Sequence, residues 1–581
     1  MQNVTLLDKY EQNAFEKEVE YLKSLDKNRL LKGFCEIAGR ESDALKYGGW
    51  ETSNIQGHTL GHYITAVAQA FVASGDTELK AITDYMISVL KECQADNGYL
   101  HAIPENHYDR LETEDTADTW VPWYSMHKIL AGLIDVYNFT GNEDALCVAS
   151  RLGDWVYSHT SEWSDEVQRA VLDIEYGGMN DCLYNLYKLT KSEKHLSAAH
   201  SFDEVSLFTP LYEGKDILNG KHANTTIPKI IGALNRYTVT NEEFYLKTAE
   251  SFWDIVIKNH TYATGGNSEW EHFGESGILD AERTSCNCET CNTYNMLKLT
   301  RTLFRITGDK KYCDYYENTF INAILSSQNP VTGMTTYFQP MATGYFKVYS
   351  SPYDHFWCCT GSGMENFSKL GDSIYFFIDN GMYVNRYTSS RVEWKEKGLT
   401  ITQNTDLPTV KFTINGNGNG KIVLRVPDWC KETPTVKINN ENVDSEIEKG
   451  FIILEKEWCD GDKIEYTMPM QITVHPLPDN KNCVAFRYGP YLLSAHMGQD
   501  NMTTDVTGVN VTVPNPCDNM SDILVVRDGT VENWLDNVNE NLVKRENELE
   551  FTLKGVDREL TFSPHYKQHT CRYGIYFNFK E

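Results

Sequence analysis

Three cysteines and a glutamate crowd together in the stretch T-S-C-N-C-E-T-C-N at 284–292, as Cys286, Cys288, Glu289 and Cys291. Downstream, H-F-W-C-C-T-G-S-G-M-E-N sets Cys358 beside Cys359, so five of the 15 cysteines fall in two short stretches. Thiolate and carboxylate are zinc ligands, normally four in a tetrahedron. Glu289, Cys291, Cys358 and Cys359 together offer three sulfurs and one oxygen. Cys286 and Cys288 are further candidates, which keeps an all-thiolate set open. The spacing is not that of a zinc finger, because no C-x2-C pair faces a second one. The plain alternatives are a vicinal disulfide at Cys358–Cys359 or buried, unreactive thiols.

A metal-held thiolate stays ionised at neutral pH, as a nucleophile requires. T-G-S-G-M-E-N, after Cys358 and Cys359, reads as a glycine-bearing helix entry whose backbone N–H groups favour a thiolate. T-G-G-N-S-E-W-E-H-F-G, at 264–274, places Glu269 and Glu271 in a Gly-rich aromatic loop, where burial can raise a carboxyl pKa for general acid work. The plain reading is two solvated glutamates. Histidines recur in G-H-T-L-G-H-Y, W-Y-S-M-H-K and K-H-A-N-T-T-I-P-K. No H-E-x-x-H, G-x-x-x-x-G-K-[ST], G-x-S-x-G or strand–G-x-G-x-x-G–helix unit is present, so metalloprotease, nucleotide, serine hydrolase and dinucleotide chemistry find no support.

The elements that carry these residues are helical from about 12 to 375. An apolar helix end, a Ser or Thr, a small turn and acidic residues recur with the hydroxyl at 74, 140, 190, 240 and 307. That is a helical-hairpin repeat of about 50 residues, with Gly or Asn as the left-handed cap. Five or six hairpins stack into an open solenoid or close into an (α/α)6 barrel. The Trp-, His- and Gly-rich loops between them favour a closed barrel with a site at its mouth. After about 376, short alternating runs such as I-V-L-R-V-P-D-W and G-F-I-I-L-E-K-E-W read as β-sandwich. The expected division is a barrel at 1–375, a β-sandwich at 376–480 and a second at 481–581.

A chain of 581 residues exceeds what one core supports. The formal net charge of −29 disfavours nucleic acid and anionic membrane surfaces and suits a neutral substrate. No signal peptide or spanning segment is visible, so a cytoplasmic location is expected. The 34 Tyr, 24 Phe and 12 Trp suit a carbohydrate binder and equally a large core.

In sequence order, G-H-T-L-G-H-Y, Y-G-G-M-N-D, H-A-N-T-T-I-P-K, G-G-N-S-E-W-E-H-F, E-T-C-N-T-Y-N-M-L-K-L-T-R and F-W-C-C-T-G-S-G-M-E-N resemble the β-L-arabinofuranosidases of glycoside hydrolase families 127 and 146, nearer the 146 branch. The resemblance covers about 45–375 and continues more weakly through L-R-V-P-D-W and Y-G-P-Y-L-L-S. It implies an (α/α)6 barrel followed by one or two β-sandwich domains. It also implies Zn2+ on Glu289, Cys291, Cys358 and Cys359, with Cys358 as nucleophile and Glu271 as acid/base. Glu269 and Glu275 lie close enough to compete for the acid/base role. Tyr337 matches a tyrosine near the nucleophile. His127 and His222 match sugar-contacting histidines, and His58 and Asn180 join the expected substrate contacts. The implied reaction is exo-acting, retaining hydrolysis of arabinofuranose-containing oligosaccharides, in which a metal-bound thiolate replaces one carboxylate of the usual pair. Rival readings are another furanoside or an acidic pectin sugar such as aceric acid, which would call on Arg283 or Lys128, and a non-catalytic zinc-containing carbohydrate binder. Self-association through the β domains is a further expectation.

Overall fold

The computed structural model describes residues 4–113, 118–378, 380–444, 446–508, 510–517, 520–546 and 548–581. Six largely buried helices, His58–Ser74, Pro122–Thr140, Met179–Thr190, Ala223–Thr240, Thr290–Thr307 and Cys358–Phe367, form its centre. Each packs on the next and the last packs on the first, so the ring closes and the open solenoid is excluded. Outside them run Thr77–Cys93, Glu143–Thr160, Glu193–Ser201, Glu243–Asn259, Lys310–Thr319 and Lys9–Ser24, one against each inner helix.

The hydroxyl repeat read from the sequence marks the last residue of five inner helices. Ser74, Thr140, Thr190, Thr240 and Thr307 each donate to the carbonyl four residues back, at 2.7, 2.7, 3.1, 3.1 and 2.9 Å. Four of these hydroxyls also accept from the backbone N–H two residues on, closing the turn into the outer helix. The next residue is left-handed in every case: Gly75, Gly141, Lys191, Asn241 and Gly308. All five turns therefore lie at one end of the barrel. The inner helices begin at the other end, which is where the chemistry-bearing motifs sit.

Close helix approach depends on glycine at one crossing. A β-carbon on Gly61 would stand 2.2 Å from the Lys128 carbonyl oxygen, and one on Gly132 would stand 2.6 Å from that of Gly61.

The β-sandwich has a seven-stranded sheet beginning with Val4–Leu6 beside Ser390–Trp394, so the N-terminal strand joins it. A five-stranded sheet with Phe451–Trp458, Gly418–Arg425 and Gly381–Val384 at its centre packs against it. Alternation divides the faces: Ile422 and Leu424 fill the sandwich, whereas Val423 packs on barrel residues around Phe304. The L-R-V-P-D-W motif supplies the polar tie. Arg425, fully buried, pairs with Asp314 at 2.6 Å and Glu317 at 2.7 Å, and Trp429 Nε1 donates to Glu317 at 3.0 Å. Residues from Ile472 onward build one branched nine-stranded network plus the hairpin Thr504–Thr507 and Val511–Pro514. Val484 and Phe486 face its own core, while Cys483 and Ala485 face the barrel loops around Tyr262 and Cys288. No helix among the described residues is long and apolar enough to cross a membrane.

Candidate active site

The two cysteine stretches meet. Glu289 is the residue before the helix Thr290–Thr307, Cys291 its second residue, and Cys358 and Cys359 open the helix Cys358–Phe367. One side-chain ligand atom from each of the four lies within 4.8 Å of the others, and all four residues are buried. Cys358 and Cys359 Sγ stand 3.5 and 3.4 Å from Glu289 Oε1, Cys291 Sγ is 3.4 Å from Cys359 Sγ, and the adjacent pair is 3.9 Å apart. All 15 cysteines are free thiols, so the vicinal disulfide is not formed.

These spacings test the fit of a metal. Bonds of about 2.3 Å to sulfur and 2.0 Å to oxygen give tetrahedral ligand–ligand edges of about 3.5–3.8 Å. Glu289 Oε2 is buried without a hydrogen-bond partner. Burial, then the charges of Cys358 and Glu271, hold the Glu289 carboxyl well above its usual range. Burial likewise pushes the Cys358 and Cys359 thiols up. Cys291 moves down: burial opposes its ionisation, but hydrogen bonds from Cys358 and Cys359 outweigh it. Four buried donors that resist sharing negative charge are stabilised together by a cation. The cluster can hold a metal ion. Cys286 and Cys288 are not in it: Cys286 Sγ lies 3.5 Å from Ser285 Oγ and Cys288 Sγ 3.9 Å from Thr264 Oγ1. The all-thiolate set is thereby set aside.

Above the cluster is a cavity of about 220 Å3 with Cys358, Tyr337, Glu271 and His222 in its wall. The Tyr337 hydroxyl donates a short hydrogen bond to Glu271 Oε1 and lies 3.7 Å from Cys358 Sγ. His222, the N-cap residue of Ala223–Thr240, places Nε2 3.2 Å from Glu271 Oε2 and Nδ1 3.2 Å from Thr225 Oγ1. Burial raises the Glu271 pKa, but the His222 and Tyr337 hydrogen bonds outweigh it, and the carboxyl ends below its usual range. His222 moves the opposite way: burial lowers it, and the bond to Glu271 and the charge of Glu175 raise it further. The pair therefore favours imidazolium beside carboxylate. Of the three glutamates near this loop, Glu271 alone lines the cavity among the described residues. Glu269 instead accepts from Thr284 at 3.1 Å. Ser268, Trp270 and Glu271 have φ of 77°, 43° and 69°, a run of left-handed non-glycine residues that the surrounding packing must hold in place.

Three expected sugar contacts lie behind this wall. His58 is fully buried, with Nδ1 3.2 Å from the Ile55 carbonyl and 3.2 Å from Glu51. Asn180 is fully buried and donates to Asp203 and the Lys229 carbonyl. His127 is buried, and its Nδ1 accepts from Gly178 N–H at 3.0 Å. None of the three lines the cavity; they brace the ends of the inner helices that do. The same motifs send other residues to the cavity wall. E-Y-G-G-M-N-D contributes Glu175 rather than Asn180, H-A-N-T-T contributes Asn224 and Thr225 beside His222, and Y-G-G-W-E contributes Trp50. Tyr124 of W-Y-S-M-H-K and His272 of the 264–274 loop also line the cavity, as does Trp120, which lies outside the motifs. Neither cation proposed for an acidic sugar reaches it: Arg283 pairs with Asp280 and Asp522, and Lys128 is buried against the Tyr124 ring. The described cavity lining contains no Lys or Arg.

Comparison with known proteins gives the family and the fold. The model of the β-L-arabinofuranosidase GH127 catalytic domain matches residues 3–372, that of the GH127 middle domain matches 381–470, and a domain of unknown function matches 473–579. A non-reducing end β-L-arabinofuranosidase from Bifidobacterium longum subsp. longum is 20% identical over 464 residues, covering 71% of this chain and 70% of the relative. Among solved structures, a GH127 β-L-arabinofuranosidase from Geobacillus stearothermophilus T6 aligns over 100% of both chains with TM-score 0.73 and 18% identity. A GH127 β-arabinofuranosidase aligns over 100% of this chain and 97% of its own, with TM-score 0.73 and 19% identity. With the catalytic-domain model matching well over half of its length, the chain belongs to the GH127 β-L-arabinofuranosidase family and is a glycosidase.

Proposed function

We propose that this glycosidase releases L-arabinose from the non-reducing end of β-L-arabinofuranosides with retention of configuration, using Cys358 sulfur as nucleophile and Glu271 as acid/base. The observation that carries the reading is the Tyr337 hydroxyl, which touches both Glu271 and Cys358 Sγ in one cavity wall. Glu289, Cys291, Cys358 and Cys359 would hold the metal, and their three sulfurs and one oxygen suit zinc. When bound, it keeps the thiols ionised and offsets the charge of the leaving sulfur.

The rest is done by the chain. His222 Nε2 holds a proton 3.2 Å from Glu271 Oε2 and passes it to Glu271, which delivers it to the glycosidic oxygen as that bond breaks. Cys358 sulfur attacks the anomeric carbon as the C–O bond breaks, leaving a thioglycoside. Glu271, again a carboxylate, then takes a proton from water, which displaces the sulfur. The His222 and Tyr337 hydrogen bonds keep Glu271 ionised, as the second step requires, and the histidine supplies the proton that the first step needs. The absence of Lys and Arg from the described lining favours a neutral sugar over an acidic one. Time-resolved proton NMR of p-nitrophenyl β-L-arabinofuranoside hydrolysis tests the reading. The β-anomer of arabinose must appear first; the α-anomer appearing first would refute retention.

A further inference from the structure

Two exposed tryptophans, Trp120 in the cavity wall and Trp270 next to the cavity residue Glu271, are not used by this chemistry. Trp120 and Trp270 are each 40% exposed, whereas Trp50, Trp123, Trp155, Trp253 and Trp357 are buried. Trp120 lines the cavity and meets Trp50 at 5.8 Å between ring centres. Trp270 precedes Glu271 and meets Phe338, the neighbour of Tyr337, at 5.6 Å. Both have left-handed backbone, with φ of 52° and 43°. That region is sterically unfavourable for a bulky side chain and is natural for glycine. Two bulky rings in strained backbone, left in water at the edge of a buried site, are better explained by what they contact than by the fold.

The floor of the cavity fixes what that contact is. Cys358 and Tyr337 line its buried end, each 2% exposed. A sugar whose anomeric carbon faces Cys358 and whose glycosidic oxygen meets Glu271 must project its leaving group toward the mouth. We infer that Trp120 and Trp270 form a leaving-group subsite that takes a neutral sugar by packing its apolar C–H face on the indoles. The inference rests on the glycosidase reading above and adds the class of aglycone. Carboxylates at Glu175 and Glu271, and a described lining without Lys or Arg, fit an uncharged leaving group.

The test compares a β-L-arabinofuranosyl disaccharide with methyl β-L-arabinofuranoside, which lacks the second ring. For Trp120→Ala and Trp270→Ala, kcat/KM on the disaccharide should fall about tenfold or more, as for a buried aromatic anchor at an interface, with little change on the methyl glycoside or in inhibition by free L-arabinose. Trp120→Gly separates function from structure: it should keep or raise Tm while losing the disaccharide preference. Equal losses on both substrates, or a lowered Tm in Trp120→Gly, would make the rings structural and overturn the inference. Unchanged kinetics on both would overturn it as well. If wild type hydrolyses neither compound, the glycosidase reading for arabinofuranosides fails first, and the subsite falls with it.

Discussion

Replacing Tyr337 by Phe removes one oxygen and keeps the ring. Tyr337 is 2% exposed and its ring packs against Phe338 and Trp357, at 4.7 and 5.6 Å between centres. Phe should therefore occupy the same space. What is lost is the hydrogen bond to the Glu271 carboxylate and the polar contact at Cys358 Sγ. A hydrogen bond to a buried charged group contributes about 1.5–3 kcal/mol, or roughly a 10- to 150-fold change in an equilibrium or rate. The expected outcome is a fall of that size in kcat, with KM changed less than threefold, because Tyr337 acts on the reacting groups rather than on remote parts of the sugar. Metal content should match wild type, since the hydroxyl is not one of the four clustered donors. The hydroxyl also helps hold the Glu271 pKa down. Its loss lets burial act, so the limb of the kcat/KM profile that belongs to Glu271 should shift to higher pH. Steady-state kinetics across pH, with metal analysis on the same preparation, reads all three effects. A loss below threefold in kcat, or an unshifted limb with a tenfold rise in KM, would show that Tyr337 only lines the pocket.

Other expectations follow from the same structure. Stripping the metal with a chelator should abolish hydrolysis and lower Tm, because four buried donors are left facing one another; readdition of zinc should restore both, and an unchanged Tm would argue against a metal in the cluster. Gly61→Ala should destabilise the barrel by about 2 kcal/mol or more, since the new methyl meets backbone rather than a movable side chain; near-native Tm would contradict the close crossing of the two helices. Glu365 is buried and its pKa is brought to about 2: burial raises it, but the His62 hydrogen bond at 2.6 Å and the charges of His62, Lys369 and Lys298 lower it further. A carboxylate depressed this way stabilises the fold above its unfolded pKa of about 4.5 and loses that contribution as pH falls toward 2. It is worth on the order of 3 kcal/mol. Glu365→Gln should therefore flatten the acid limb of the stability curve, and an unchanged acid limb would refute the assignment.

Much of the barrel was legible because its turns repeat a chemical device. A terminal hydroxyl bonded four residues back, followed by a left-handed cap, leaves a trace at Ser74, Thr140, Thr190, Thr240 and Thr307 whatever the helix faces contain. Ring closure, which the loop composition and the family resemblance favoured, has no such residue-by-residue mark, because it depends on how six helices pack and not on any one of them. The Cys/Glu cluster was legible for a related reason: thiols crowded at two helix starts are costly to bury without a partner. The lining of the cavity was less so. A motif identifies a loop, but which member faces the cavity depends on where the helix begins. Asn180 is one residue inside its helix and turns to Asp203, whereas Glu175 lies four residues before that helix and reaches the cavity. His58 and His127 look like ligands by type, yet each is tied into the wall by backbone hydrogen bonds.

The central claim is that Cys358 sulfur forms the covalent bond to the sugar. Glu271→Gln, given p-nitrophenyl β-L-arabinofuranoside, has a leaving group that needs little acid help but lacks the base for the second step. The intermediate should accumulate, and peptide mass spectrometry should find one pentosyl group on the peptide bearing Cys358 and none on the same peptide from a Glu271→Gln, Cys358→Ser double variant. A pentosyl group on Glu289 or on no residue, with nitrophenol still released, would contradict the account.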